Sequence, residues 1–218
     1  MTNQCDHQMR LYYKERAPVY DAVYSYPERQ NDLRFLENYV GQQFKGVDVL
    51  EVAAGTGYWT QFICAKAASV LATDITKTAL DQLKSRPGCD GVSAKILDAY
   101  TIDKVGRNFG GAFAGLWYSH VPRQRADEFL SGLHQALLPG ATVLFIDNSA
   151  AQCNRLPLSD TDECGNTYQD RVLETGGSHR VLKNFPTQKE LLEATQDYGE
   201  DFYFLELENF WLFQYASR

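Results

Sequence analysis

The chain has 218 residues, of which 21 are Lys or Arg and 28 are Asp or Glu, so its formal net charge is −7 at pH 7. The two signs are interspersed along the chain, whereas a large nucleic-acid-binding surface normally carries a basic patch. No apolar stretch reaches transmembrane length, and the polar N-terminus lacks the apolar core of a signal peptide. We therefore expect a single cytoplasmic domain over residues 1–218, without nucleic-acid or membrane partners, acting as a monomer or homodimer.

The cysteines are odd in number and form no CxxC pair. This pattern is typical of reduced thiols in a cytosolic protein and not of a disulfide framework or a zinc site. The residues concerned are Cys5, Cys64, Cys89, Cys153 and Cys164.

The N-terminal segment, residues 1–30, is rich in tyrosine, and Pro18 and Pro27 divide it into short pieces. The simplest interpretation is an aromatic cap that packs on the domain. From residue 31 to residue 40 apolar side chains repeat at helical spacing, and Gly41 is a plausible end of that helix.

The most informative part of the sequence is Val47–Gly57. A short β-branched strand, Val49–Val52, breaks into the turn Ala53–Gly57, where small residues let the backbone bend tightly and approach a ligand. A helical pattern follows, and the next strand ends at Asp74. An acidic residue about 20 positions past such a turn can accept hydrogen bonds from a ribose hydroxyl pair. Strand, turn and helix together predict the nucleotide-binding corner of a Rossmann-like domain.

Three more strands are predicted to deliver polar residues to the carboxyl edge of the same sheet, which is where ligands bind in open α/β folds. Helices are predicted at residues 76–84 and 123–138 between them. The strands are residues 92–97, leading to Asp98 and Ala99; residues 111–117, leading to Tyr118, Ser119 and His120; and residues 141–146, leading to Asp147 and Asn148.

The pattern E-V-A-A-G-T-G, followed by Asp74, resembles motif I and the acidic motif of the class I S-adenosylmethionine-dependent methyltransferases. The usual form of motif I is E/D-x-G-x-G-x-G, so Ala53 replaces the first glycine with another small residue. The order of elements resembles that family from about Asn31 to the C-terminus. The resemblance implies an α/β fold with a Rossmann-like seven-stranded sheet, its last strand antiparallel and helices on both faces, and S-adenosyl-L-methionine as cofactor.

The resemblance also implies which residues bind the donor. Motif I would hold its amino-acid end, Asp74 its ribose, and Asp98 with Ala99 its adenine, although a strand-end aspartate is also a common turn former. The tyrosine-rich segment would be a lid over the donor, and Trp117 would pack beside it. The candidate cofactor-binding residues are Tyr13, Tyr20, Glu51, Ala53, Gly55, Gly57, Asp74, Ile75, Asp98, Ala99 and Trp117.

The segment that ends at His120 would face the transferring methyl group in such an enzyme. His120 is the candidate general base, because a histidine in water titrates near neutral pH. Alternatively it caps the helix that begins near Pro122. Asp147-Asn148 resembles the pair that helps bind magnesium in catechol-type O-methyltransferases, but the second carboxylate of those enzymes is replaced here, so we predict no metal site.

The C-terminal third is predicted to start with a polar loop at residues 149–165. A hairpin at residues 166–184 would then arch over the pocket, with a turn at Thr175-Gly176-Gly177. On it, His179 and Arg180 would either meet an acidic substrate or, as we favour, lie on the surface. A capping box at Thr187 and Glu190 opens a helix, and two closing strands follow, at residues 202–207 and 210–215.

The predicted function is transfer of a methyl group from S-adenosylmethionine to an oxygen or nitrogen of a small-molecule acceptor. Two other classes of protein share this nucleotide-binding corner. A nicotinamide-dependent oxidoreductase should show a third glycine and a hydride-site arrangement such as Tyr-x-x-x-Lys, which Tyr168–Val172 does not provide. A non-catalytic S-adenosylmethionine-binding module would keep Gly55, Gly57 and Asp74 but would need no base at the sheet edge.

Overall fold

The computed structural model describes residues 2–173 and 176–218, with side chains described from residue 8 onward. Six α-helices are found within these residues, joined by short 3₁₀ segments. The helices are α1 (Thr2–Arg16), α2 (Gln30–Gln43), α3 (Thr60–Cys64), α4 (Lys77–Lys84), α5 (Ala126–Gln135) and α6 (Gln188–Thr195).

A seven-stranded sheet forms the centre of the fold, in the spatial order β3-β2-β1-β4-β5-β10-β9. The first five strands are mutually parallel, and β10 runs antiparallel to both of its neighbours, as the sequence predicts. The strands are β1 (Asp48–Val52), β2 (Ser69–Asp74), β3 (Ser93–Ile96), β4 (Phe109–Gly115), β5 (Leu137–Asn148), β9 (Gly199–Glu206) and β10 (Phe210–Ser217).

Apolar side chains cover both faces of this sheet. On one face, Phe129 and Leu133 of α5 pack with Leu191 of α6 in a cluster of fully buried residues. On the other face, Leu36 of α2 and Ile63 of α3 belong to a second cluster of buried residues. Because both faces are buried, β4 reads as a continuous apolar run and not as an alternating one, whereas β1 carries the buried Glu51 among its apolar residues. This two-sided burial fixes the sheet rigidly and leaves its carboxyl edge free for a site.

The helix predicted at residues 123–138 is shorter than expected, and this prediction was wrong at its C-terminal end. Helix α5 stops at Gln135, and β5 already begins at Leu137, which pairs with Phe109 of β4. Pro139 is accommodated because the β4–β5 register shifts at this point and β10 pairs with β5 only from Thr142 onward. Strand pairing across the sheet therefore outweighs the local tendency of Pro139 and Gly140 to form a turn.

The N-terminal segment contains a long helix that the sequence did not reveal. Helix α1 spans 15 residues, and Pro18 and Pro27 instead lie at the starts of the two 3₁₀ segments, Ala17–Tyr24 and Pro27–Arg29. Its sequence is mostly polar, so its apolar periodicity is weak. Helix α1 packs against β8 (Ser178–Leu182), a strand of a small second sheet, and this contact brings the helix over the carboxyl edge.

The second sheet has three strands in the order β6-β7-β8, and β7 and β8 are antiparallel. The predicted turn between them includes Thr175, which lies outside the described residues. His179 is only 8% exposed, so its predicted surface location is wrong; it packs on Tyr12 of α1 with ring centroids 5.7 Å apart. Arg180 is exposed and pairs with Asp160 at 2.5 Å. The strands are β6 (Asp160–Thr161), β7 (Thr167–Val172) and β8 (Ser178–Leu182).

Of the helices that the structure describes, none combines the length and the apolar character needed to cross a bilayer. The four cysteines with described side chains are free thiols, and the sulfur atoms of Cys64 and Cys89 lie 3.9 Å apart.

Candidate active site

A cavity of about 990 Å³, counting its open mouth, lies at the carboxyl ends of β1, β2 and β4 beneath α1. Ten of the twelve candidate site residues line it: Tyr13, Tyr20, Ala53, Gly55, Asp74, Ile75, Asp98, Ala99, Trp117 and His120. Sequence reasoning missed several other lining residues, among them Met9, Arg10, Thr56, Tyr100 and Leu116.

The turn after β1 adopts left-handed backbone at three positions, with φ of 52° at Ala53, 57° at Gly55 and 82° at Gly57. Ala53 therefore takes the strained conformation that glycine adopts without cost. Gly57, a predicted cofactor-binding residue, is not among the residues that line the cavity. A Cβ there would lie 2.7 Å from Cγ of Leu83, so this glycine lets the turn pack closely against α4.

Asp74 is held in place by the backbone around it. Its Oδ2 accepts a hydrogen bond from the Gly55 N–H at 3.0 Å, and its Oδ1 accepts one from the Thr76 N–H at 2.7 Å. A carboxylate has about four acceptor sites, so two remain to accept hydroxyl protons from the cavity. Burial raises the pKa of Asp74, and these two backbone N–H groups act in the opposite direction.

Asp98 lies at the mouth of the cavity and links it to α1. Its Oδ1 caps the following 3₁₀ turn by accepting from the Tyr100 N–H at 3.0 Å. Its Oδ2 accepts from Arg10 of α1 at 2.7 Å. The turn-forming and ligand-binding interpretations of Asp98 are therefore compatible, because the same carboxylate caps the turn and faces the cavity. No local signal marked Arg10, which is 88 residues away in sequence.

The N-terminal segment is also joined to the motif I turn. Asp21 accepts from the Thr56 hydroxyl at 2.6 Å and forms an ion pair with Arg86. Arg86 in turn donates from Nε to the Thr56 carbonyl at 3.0 Å. The floor and the cover of the cavity are thus connected through polar side chains.

Glu51 lies behind the cavity and does not line it. It is 1% exposed, and its Oε2 has no hydrogen-bond partner among the described residues. Burial raises the pKa of Glu51 to about 8, so the carboxyl is neutral at pH 7.

His120 is buried and forms a hydrogen-bonded chain with Tyr13 and Arg171. Its Nδ1 lies 2.6 Å from the carbonyl of Leu182, which can only accept, so Nδ1 carries the proton. Its Nε2 then accepts from the Tyr13 hydroxyl at 2.7 Å, and Arg171 donates to the same hydroxyl at 3.1 Å. Burial, followed by the charges of Lys183 and Arg171, lowers the pKa of His120 to about 3. The ring is neutral at pH 7 and does not serve as a helix cap.

Below His120 lies a buried ion pair. Lys183 is 1% exposed and donates to Asp147 at 2.7 Å and to Ser119 at 2.6 Å. The other oxygen of Asp147 accepts from the Ser119 N–H at 2.9 Å. Burial alone would raise the pKa of Asp147, but Lys183, His120 and the Ser119 N–H together lower it. The aspartate considered as a magnesium ligand is therefore the counter-ion of a buried ammonium group.

A second cavity of about 490 Å³ adjoins the first. The two share four lining residues, which form the boundary between them: Tyr13, Tyr20, Leu116 and His120. Leu116 has a φ of 57°, and strained residues of this kind cluster at functional sites.

Known proteins resemble this chain in family and in fold. A family model described as a methyltransferase domain matches residues 49–140. Two solved structures, a DhpI-SAH complex and a DhpI-SAM-HEP complex, are each 27% identical to the chain; the alignments cover 98% of this chain and 97% and 98% of theirs, with TM-scores of 0.80 and 0.79. The CcbJ methyltransferase from Streptomyces caelestis is 17% identical over 94% of this chain and 97% of its own, with a TM-score of 0.69, a likeness of fold alone. No curated protein sequence matches the chain.

Sheet topology, cavity and matches define one class of protein. Residues 49–140 match a methyltransferase domain, and the chain has the fold of the class I S-adenosylmethionine-dependent methyltransferases. It is an enzyme that uses S-adenosylmethionine as its cofactor. The residues present fit that group, because Asp74 and Asp98 line the larger cavity and offer carboxylate oxygens at the ends of two successive strands.

Proposed function

We propose that the enzyme transfers the methyl group to an oxygen or nitrogen of a small-molecule acceptor. The observation that carries this proposal is the pair of adjoining cavities with Tyr13 and His120 between them. The larger cavity would accommodate the donor, and the smaller one would hold the acceptor beside it. We also place the enzyme in the cytoplasm, in line with its free thiols.

Within the larger cavity, the roles follow from the contacts already described. Asp74 has acceptor sites left for two ribose hydroxyls, and Asp98 with the Ala99 backbone faces the adenine end. The open turn at Gly55 leaves room for the amino-acid end. S-adenosylmethionine supplies a methyl group on a positively charged sulfur, so the protein's main task is to align the acceptor with it.

Tyr13 and His120 can move a proton at the boundary between the cavities. The unprotonated Nε2 of His120 already accepts from the Tyr13 hydroxyl. An acceptor O–H or N–H that replaces this contact, or that passes its proton through Tyr13, would find a base in the correct tautomer. Because the pKa of His120 in the free enzyme is about 3, protonation of the ring should not cause a loss of kcat/KM between pH 8 and pH 5.

Donor binding is the first experiment. S-adenosylhomocysteine and, separately, NAD are titrated into the purified protein by calorimetry. We expect micromolar binding of the first and none of the second, with binding weakened about tenfold or more in Asp74→Asn because its charged acceptor is lost. Asp48→Asn, at the exposed start of β1, is the control. Binding of NAD alone would contradict the proposal.

A non-catalytic binding module would also bind S-adenosylhomocysteine. The variant His120→Ala distinguishes a methyltransferase from such a binding module, once screening has found an acceptor. Loss of turnover with unchanged donor affinity supports a role for His120 in transfer. Unchanged turnover would remove His120 as a base and leave alignment alone as the source of catalysis.

A further inference from the structure

The wall of the smaller cavity is cationic, although the whole chain is acidic. Five of its lining residues carry a positive charge, and none is an aspartate or glutamate. The positive residues are Arg16, Arg29, Arg155, Arg171 and Lys183. In a protein with a net charge of −7, such a local excess is not a consequence of composition.

Only two of these five charges are compensated by carboxylates among the described residues. Lys183 pairs with Asp147, and Arg155 pairs with Glu28. For the remaining guanidinium groups, of Arg16, Arg29 and Arg171, the described residues provide no carboxylate within ion-pair distance. A buried charge without a partner is strongly unfavourable.

Arg171 is the clearest example of a guanidinium group without a carboxylate partner, because it is 6% exposed and one of its N–H groups makes no hydrogen bond within the described residues. Its terminal nitrogens donate to two neutral acceptors, the Tyr13 hydroxyl at 3.1 Å and Gln169 Oε1 at 2.9 Å. Its Nε has no hydrogen-bond partner among the described residues. A guanidinium with a free N–H edge matches the planar, two-oxygen geometry of a carboxylate or phosphoryl group.

Other groups around this cavity are also incomplete. Asn148 Oδ1 and Gln152 Oε1 are buried without partners among the described residues. Arg29 is 6% exposed, and within the described part of the chain it donates only to the Val23 carbonyl, at 3.3 Å. Burial, with a contribution from the charges of Arg171 and Arg29, lowers the pKa of Lys183 to about 8, which places these three cations within electrostatic reach of one another.

We propose that the acceptor carries a compact oxyanion, a carboxylate or a phosphoryl group, which the smaller cavity binds through Arg171 with Arg16 and Arg29. This inference rests on the proposed methyl transfer, since it assigns the substrate class of the same site. Arg171 donates to Tyr13, and Tyr13 donates to His120. An anion bound at Arg171 therefore lies beside the boundary with the donor cavity, and it supplies the charge that the chain itself lacks.

Binding of the anion would also make His120 a better base. The charges of Lys183 and Arg171 now oppose protonation of the ring, and an anion beside them would offset this effect. Proton uptake would then be favoured when the acceptor is present and disfavoured when it is absent.

The test uses the protein saturated with S-adenosylhomocysteine. Inorganic phosphate, acetate and the neutral acetamide are titrated separately, with binding followed by calorimetry or by NMR. We expect saturable binding of phosphate or acetate, the tighter of the two indicating a phosphoryl or a carboxylate acceptor, and no binding of acetamide. Arg171→Gln should weaken anion binding about tenfold or more, because a charged hydrogen bond is lost, and Arg171→Lys should retain part of it.

The matched control is Arg180→Gln, which removes one positive charge from the outer face of the same β7–β8 hairpin and should leave anion binding unchanged. Arg16→Gln, on the more accessible end of α1, provides a second variant should Arg171→Gln fail to fold. If S-adenosylhomocysteine binds but neither anion does, or acetamide binds equally well, the inference is wrong while the methyltransferase proposal stands. If S-adenosylhomocysteine itself does not bind, both are wrong.

Discussion

Ala53 occupies a backbone conformation that normally requires glycine. It replaces the first glycine of motif I and has a φ of 52°, which costs an alanine roughly 1–2 kcal/mol. Its small side chain is tolerated sterically, but the conformational cost remains. Alanine at this position therefore keeps the backbone geometry of the motif I turn but raises its conformational energy.

We expect Ala53→Gly to leave the free energy of unfolding unchanged or to raise it by up to about 1 kcal/mol. Relief of the strain at φ > 0 offsets the larger entropy that glycine gives the unfolded chain. In Ala194→Gly, within α6, no strain is relieved, and a loss of about 1 kcal/mol is expected. Urea unfolding of both variants checks this, and equal losses would show that Ala53 is not strained.

Glu51 should make the protein less stable as the pH rises. Its pKa is raised to about 8 in the folded state, so its favourable contribution is fully present below its unfolded pKa, near 4.5, and is lost as the pH rises through 8. Glu51→Gln removes this dependence and should stabilise the protein at pH 7 by about 2–3 kcal/mol.

Chemical unfolding at pH 5 and pH 7.5 measures this effect. The stability gain of Glu51→Gln over the parent should be larger at pH 7.5 than at pH 5. Glu163→Gln changes an exposed carboxyl and should show no such difference. A gain that is the same at both pH values would mean that Glu51 is ionised in the folded protein.

At the scale of elements, α1 is the cover of the donor cavity. It contributes Met9, Arg10 and Tyr13 to the lining, and Arg10 fastens it to Asp98 across the mouth. Its polar sequence gives a weak helical pattern, and within residues 8–16 the buried side chain, Tyr12, lies on the face toward β8. An element of this kind is recognised from its contacts more readily than from its periodicity.

We predict that Arg10→Ala speeds the release of S-adenosylhomocysteine by up to about fivefold, as expected for loss of a solvent-exposed ion pair. Stopped-flow displacement, read from the fluorescence of Trp117 in the cavity wall, measures the rate. Arg34→Ala on α2 removes an exposed arginine that donates to Asn31 and should leave the rate unchanged. Slower release in Arg10→Ala would contradict a closing role for the ion pair.

At the scale of the whole molecule, donor binding should be coupled to global stability. The cavity is built by β1, β2, β4 and the N-terminal segment, so unfolding of the domain abolishes it. S-adenosylhomocysteine at 100 times its Kd should then stabilise the fold by about 2.7 kcal/mol. This corresponds to a rise in Tm of roughly 5–10 °C for a domain of this size.

Thermal unfolding with and without the ligand tests this coupling. Asp98→Asn should reduce the shift at the same ligand concentration, because a carboxylate that faces the cavity has been replaced. Asp103→Asn, in the following 3₁₀ segment and not among the cavity-lining residues, is the matched control. An undiminished shift in Asp98→Asn would mean that its carboxylate does not contribute to donor binding.

The sequence by itself determined the parts of the protein that depend on local order. Strand, small-residue turn and acidic strand end follow one another in the chain. Motif I, Asp74 and Asp98 therefore predicted the fold and the place of the larger cavity, and the candidate residues make up half of its lining. Even here, burial changed the interpretation of two residues: Glu51 lies behind the cavity as a neutral carboxyl, and Gly57 is required for packing against Leu83.

Only the tertiary structure decided what lies beside the donor cavity. Arg16, Arg171 and Lys183 come from α1, β7 and the residue after β8, and no spacing in the chain connects them. These three side chains lie close together because α1 packs on the second sheet. Their role in binding an anion is inferred from which of their charges lack a carboxylate partner among the described residues. Both are long-range properties, and the net charge of −7 gave no sign of a cationic acceptor site.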